Sequence, residues 1–515
     1  MQDNRPVRTP RPAATRGPLP GRWAGVLLHP TSLPGDGAVG TLGPAAKVWV
    51  NWLADAGFSA WQVLPLGPTG AGNSPYSSWS SLLGSPSLIH LGSLAEAGLL
   101  SDAEAQSGET ARVDHGRVHD WHLPMVIKAA QQLCADKNHP WHDPMRSWVG
   151  NQPWLRDIAR FGARKQAHNW APWWDWSDRA KSRLPDEVLA VDHELAASID
   201  AWKAIAWLFE GQWAAVRQHA ARRNIRIIGD LPLYVALDSV EVWSRPELFR
   251  LDSTGAPEVV AGCPPDVFTP LGQRWGNPMY DWSSHRHEDF SWWVSRLQRL
   301  LHRVHLVRID HFRGMSSGWA IPASAPDARG GRWSDAPGLA LFATLQRQLG
   351  VPLPLIAEDL GHLDAAVHHL RQMAGIPGMR VLQFGFDGEP NNPHHPHAVS
   401  SDTIVYPGTH DTNTVAGWWN SAAQRTRKEV CHTLGCDHSE VPVAVVHAAL
   451  DSRGNGCVIA AQDLLELGAH ARMNKPGTPE GNWEWRLSKV QLSQLDAGTW
   501  RDVLRGTGRL PTQPT

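Results

Sequence analysis

The chain contains no apolar run of about 18 residues, the length that a bilayer-spanning helix requires, so no membrane helix is expected. An excess of either charge is also missing. Lys plus Arg total 48 and Asp plus Glu total 50 among 515 residues, a formal net charge of −2. No broad electropositive field is left for nucleic acid or for an anionic membrane surface. Cysteine is scarce: Cys134, Cys263, Cys431, Cys436 and Cys457 are an odd number scattered over a long chain, which is not a disulfide framework. Four Tyr and ten Phe stand against 28 Trp. Indole suits both a large core and the stacking of sugar rings, and core packing is the commoner use.

At roughly 150 residues per domain, the length fits about three domains or one large barrel carrying insertions. Residues 1–22 hold five Arg among Pro and Ala without an apolar segment, so they cannot be a secretory signal. A disordered tail is expected there, with a transit peptide as the alternative, and the location expected is cytoplasmic. Runs of Val, Ile and Leu that end in polar residues predict buried strands at 24–29, 59–66, 225–235, 305–312, 353–358, 378–384, 402–407 and 457–462. Helical patterns at 44–56, 200–222 and 287–303 lie between them. Eight such units predict an α/β fold, a (β/α)₈ TIM barrel. It spans 23–505, with inserted subdomains at about 95–200 and 236–285, the second loop-rich, and a frayed tail at 506–515.

Three strand ends supply acids. In Arg308-Ile309-Asp310-His311-Phe312-Arg313-Gly314, strand alternation places Arg308 and Asp310 on one face. A carboxylate at the C-terminal end of a barrel strand, with a guanidinium as its counter-charge, is equipped to act as a nucleophile. A structural Arg–Asp pair is the alternative. In Ile356-Ala357-Glu358-Asp359-Leu360-Gly361, adjacent acids point opposite ways, so one can face the mouth as a general acid while the other is held in the wall. Here the alternative is a solvated charge pair. Asp411, in Tyr406-Pro407-Gly408-Thr409-His410-Asp411-Thr412, is the third. Two carboxylates about 5 Å apart permit double displacement at an anomeric carbon.

These segments belong to a longer series: 25–34 (GVLLHPTSLP), 61–76, 229–243, 264–280, 308–314, 356–361, 377–384, 408–411 and 474–486 (NKPGTPEGNWEWR). Together and in this order they resemble the amylomaltases, the 4-α-glucanotransferases of glycoside hydrolase family 77, over nearly the whole chain. The resemblance implies Asp310 as nucleophile, Glu358 as acid/base and Asp411 as transition-state stabiliser. It implies sugar-binding roles for Asp230, Gln273, Trp275, Arg308, His311, His410 and Asn474, with Ser74 and Tyr76 lining the donor side. The implied partners are an α-1,4-glucan donor and a sugar acceptor. Ala71, Asn73, Val267, Arg274, Ile376 and Thr412 depart from the family's usual residues, which bears on acceptor preference and long-chain binding. At Ile376, relatives often carry Phe, and an acceptor-side stacking contact is expected to weaken.

No cofactor is expected. The His-rich 394–397 and Cys/His-containing 431–438 segments fit no closed tetrahedral metal pattern, and the glycines of 67–72 lack the Lys of a phosphate loop. The alternatives to transfer are a retaining α-glucan hydrolase, which would use the same acids with water as acceptor, and a barrel that binds glucan without turning it over.

Overall fold

The computed structural model describes residue 19 and residues 21–511, apart from Ser107, Val267, Phe268, His362 and Pro390. The tail expected over 1–22 therefore lies almost wholly outside the described residues, as does Val267. Eight parallel strands run Trp23–Leu27 (β1), Ala60–Gln62 (β2), Arg226–Leu231 (β3), Leu306–Ile309 (β4), Leu355–Ala357 (β5), Gly378–Val381 (β6), Thr403–Tyr406 (β7) and Gly456–Ala460 (β8). Each overlaps one of the eight predicted segments. The sheet order is β6-β7-β8-β1-β2-β3-β4-β5, the cyclic order of the chain. Its two ends meet where the Ala357 N–H donates to the Pro377 carbonyl at 2.9 Å, so the sheet forms a nearly closed TIM barrel.

Helices cover the outside while side chains fill the inside, so strands such as β1, β7 and β8 are buried at every position. That is why they read as unbroken apolar runs. Helix Pro44–Asp55 shows the complementary pattern. It starts with Pro in its first turn and buries Ala46, Trp49, Val50 and Leu53, one stripe at helical spacing. Trp49, Trp61, Trp202, Trp213 and Trp293 are among the largest fully buried side chains, each contributing about 1.5–3 kcal/mol on leaving water. The exposed tryptophans among the described residues are Trp174, Trp275 and Trp333, so the indoles mainly serve the core.

Helices fill the chain between β2 and β3. Helix Ala196–Arg222 packs against Leu123–Ala135 and Leu155–Ala167, in the segment expected to be helical. The 236–285 region is more regular than its Pro and Gly suggested. Strands Val259–Cys263 and Gln273–Pro278 pair antiparallel there, and Val259–Cys263 also pairs with Ser317–Pro322, which in turn pairs with Arg332–Asp335. This second sheet draws half its strands from beyond β4, a long-range pairing with no local sequence signal. At the C-terminus, the fraying expected from residue 506 does not occur over the described part. Arg509 is fully buried and its guanidinium donates to the carbonyls of Trp23, Leu450, Ser452, Gly454 and Asn455 at 2.6–3.2 Å.

Candidate active site

The strand-end acids gather at the C-terminal mouth of the barrel as three small networks that touch. Register sets the first, because Asp230 on β3 lies beside Arg308 on β4. Arg308 donates to both oxygens of Asp230 at 3.0 and 2.8 Å and lies 2.9 Å from an oxygen of Asp310. The Tyr76 hydroxyl donates to Asp230 at 2.7 Å, and the Tyr76 amide donates to the Ser74 hydroxyl at 3.2 Å. Asp230 and Arg308 are buried, whereas the Asp310 side chain is 28% exposed. Burial works against the Arg308 charge, but Asp230 and Asp310 outweigh it and lift its pKa well above the ordinary value.

The second network surrounds Glu358. Its oxygen accepts the His311 N–H at 2.6 Å, and its own amide donates to the Ile309 carbonyl at 3.0 Å. His311 takes a left-handed backbone, φ 51°, which turns the chain sharply after Asp310. Burial, reinforced by the charges of Asp310 and Asp359, lifts Glu358 well above the usual carboxylate range against the pull of Arg308 and the His311 amide. Burial also lowers His311 to about 4, with Asp310 opposing it. The ring is neutral, and its Nε2 is buried with no hydrogen-bond partner among the described residues. Over His311 stands Trp275, edge to face at 4.8 Å, its indole N–H on Gln273 at 3.0 Å.

The neighbouring acid turns away, as alternation requires. Asp359 is buried in the wall, accepting the Met379 N–H at 2.6 Å and facing Arg371 and Arg380 at 3.4 and 3.3 Å. A side chain at Gly378 would strike it, since a Cβ there would lie 2.4 Å from a carboxylate oxygen.

Asp411 forms the third network. Asn474 donates to its carboxylate at 2.6 Å, His410 lies 3.4 Å from the same group, and Arg472 donates to its backbone carbonyl at 2.5 Å. Its side chain is 44% exposed toward the cleft. The His410 ring stacks on Tyr76 at 5.1 Å and 9°, which joins this network to the first. Trp483 lies 6.0 Å from both rings. It also lines a cavity of about 380 Å³ whose walls include Trp79, Trp170, Trp202, Lys165 and Asp238.

All twelve residues singled out in the sequence thus join this cluster. The departures fare differently. Ile376 is 2% exposed, so the stacking position expected there is core. Arg274 is exposed and donates to the Ala323 carbonyl at 2.8 Å. Asn73 adopts φ 56°, a conformation that suits Asn. Thr412 accepts the Thr409 N–H at 2.9 Å and so closes the loop that holds Asp411. Arg472 and Trp483 went unremarked in the sequence although they flank or fall within the 474–486 block. Among the described residues, no group of three or more His, Cys, Asp or Glu is arranged to hold a metal ion.

The geometry has close counterparts. A 4-alpha-glucanotransferase of Thermus thermophilus is 42% identical over 95% of this chain and 99% of its own length. One from Synechocystis sp. is 40% identical over 93% of this chain and 96% of its own. The solved amylomaltase of Streptococcus agalactiae in complex with acarbose superposes with a TM-score of 0.91 at 34% identity, covering 95% of this chain and all of that one. The family model described as 4-alpha-glucanotransferase, glycoside hydrolase family 77, matches residues 28–493, and the chain belongs to that family.

Proposed function

We propose that the 4-α-glucanotransferase activity of this chain runs by retaining double displacement, with Asp310 as nucleophile, Glu358 as acid and then base, and Asp411 as transition-state stabiliser. The observation that carries this reading is the placement of Arg308, which touches Asp230 and Asp310 at once and so ties two acids to one guanidinium. In the first step, Asp310 attacks the anomeric carbon of an α-1,4-linked glucose. Glu358 gives its proton to the departing 4-oxygen, and a glycosyl ester forms as the chain bearing the reducing end leaves. In the second step, Glu358 removes the proton from an acceptor 4-hydroxyl. That oxygen displaces Asp310 and restores the α-configuration.

The electrostatics suit both halves. Burial keeps Glu358 protonated at the start, and the Asp310 charge adds to this. Once Asp310 is esterified that charge is gone, which eases the loss of the Glu358 proton at the moment a base is needed. Asp230, His410 and Asn474 would hold sugar hydroxyls, and the bare Nε2 of His311 would serve another. Ser74 and Tyr76 would line the donor side. Trp275 and Gln273, on the second sheet, would cover the acceptor and restrict water, giving the acceptor hydroxyl a large effective concentration. The cavity beside Trp483 would take further glucose units of the glucan on its indole faces. The setting proposed is the cytoplasm, in keeping with five free thiols.

Incubation with maltotriose tests the reading. Glucose together with a ladder of longer oligomers is expected. A steady rise in reducing ends without longer products would make the chain a hydrolase instead.

A further inference from the structure

The loop that bears Asp411 is tied at one end by Asn474 and Arg472. Its other end leads into helix Val415–Ser421. There the Val415 N–H donates at 2.8 Å to Asp463, which follows β8 and is 6% exposed. Val415 is the first residue of the helix, and Thr414 caps it by accepting the Gly417 N–H at 3.0 Å. Asp463 thus satisfies an amide that has no partner inside the helix, and it does so from the short helix Ala461–Leu464 that follows β8. Behind this contact lies a small cavity of about 20 Å³ with a mixed lining, whose polar side includes His29, His410, Asn413, Gln462, Asp463 and Arg472. Two of its buried polar atoms, His29 Nδ1 and Asn413 Oδ1, have no hydrogen-bond partner among the described residues. The volume suits one water molecule, and such a water needs two to four polar neighbours.

We infer that Asp463 is a positioning residue for Asp411: it fixes the far end of the 409–414 loop through Val415, and shares with His29 and Asn413 a site for one bound water. The inference rests on the reading of Asp411 as transition-state stabiliser. Asp463 acts at a distance, through the backbone between Asn413 and Val415. Burial pushes its carboxyl up to about 7, with the Val415 amide opposing, so near neutrality it can donate into the cavity as well as accept. The groups that share the cavity with it are His29, lowered to about 3 by burial and by His410, together with His410 itself and Arg472.

Three variants decide the matter: Asp463→Ala, Asp463→Asn and Asp411→Asn, each assayed with maltotriose after a melt confirms folding. Asp463→Ala removes the acceptor of the Val415 N–H. It is expected to lower kcat by about 10- to 100-fold, the scale of a misplacement of order 1 Å, while KM moves less than about threefold. Asp463→Asn keeps an oxygen for that N–H and is expected to recover most of kcat. Should Asp463→Ala fail to fold, Asp463→Gly and Asp463→Ser at reduced temperature give the same comparison against Asp463→Asn. A folded variant without the acceptor that retains wild-type kcat while Asp411→Asn is inactive overturns the inference alone. Full activity in Asp411→Asn overturns the reading beneath it. Equal losses in kcat for Asp463→Asn and Asp463→Ala also count against the positioning contact.

Discussion

Two arginines lie buried at opposite ends of the barrel, and they are neutralised in different ways. At the mouth, Arg308 meets the carboxylates of Asp230 and Asp310. At the base, Arg509 meets backbone carbonyls around the starts of β1 and β8, with no carboxylate bonded to it among the described residues. The pKa directions follow. Burial wins at the base and lowers Arg509 to about 10, whereas paired acids win at the mouth and raise Arg308. Carbonyl dipoles suffice to anchor a chain end, but formal charges that face one another can be rebalanced as a reaction proceeds. The two ends of a TIM barrel commonly divide into chemistry and stability in this way.

The largest effect that would sharpen this contrast comes from Asp310→Asn. It is expected to remove at least about three orders of magnitude in turnover while leaving glucan binding roughly intact, as for other catalytic groups that act as a unit. Initial rates and calorimetric binding check it together. Next, Arg308→Gln leaves Asp230 buried without its partner. Turnover is expected to drop by about 100- to 1,000-fold, with about 3–5 kcal/mol lost from stability by denaturant titration. The matching change at the base, Arg509→Gln, should cost about 2–4 kcal/mol of stability yet leave kcat per folded molecule unchanged. A kcat loss there that matched the one at the mouth would break the comparison.

Acidity gives a subtler test. In the mechanism proposed, Glu358 must carry its proton to begin the reaction, so kcat/KM is expected to fall as pH rises through its pKa in the free enzyme. Because burial raises that pKa, the fall should lie well above about pH 4.3, the value for an unperturbed Glu. The same shift has a sign for stability. The folded chain holds this proton more tightly than the unfolded one, so its contribution is full below the unfolded pKa and lost as pH rises through the folded one. In Glu358→Gln the alkaline limb should disappear along with most turnover. The smallest effect is expected from Trp170→Ala: little change with maltotriose, and a loss of about 0.5–1.5 kcal/mol in binding of long amylose chains, the scale of one aromatic stacking contact.

The mouth was far more legible in the sequence than the base. Charge at the end of an apolar run is a local pattern, and it exposed Asp310, Glu358 and the loop of Asp411 before any coordinates. The same pattern marks Asp463, which directly follows the predicted strand 457–462. Arg509 sits in a stretch of Gly, Thr and Pro that resembles a loose tail, and its partners lie as far back as Trp23, so nothing local announced its burial. The second sheet was hidden for a related reason. Its strand Arg332–Asp335 is largely exposed and Gln273–Pro278 mostly half-buried, neither showing an apolar run, and the pairing that joins the two halves of the sheet, Val259–Cys263 with Ser317–Pro322, spans β4. Ile376 shows the converse error: a stacking role was expected from its place in the family motif, and the side chain is buried.

The seam between β5 and β6, where the cyclic sheet meets itself, is the line along which the barrel is expected to breathe. There the Ala357 N–H meets the Pro377 carbonyl, and the Asp359 side chain, which accepts the Met379 N–H and is seated against Gly378, acts as a clasp between the strands. Amide exchange with deuterium should therefore be fastest among the barrel strands along this edge. Glu358 sits at the top of the same edge, so the proton transfer proposed for it would take place beside the part of the wall expected to exchange fastest.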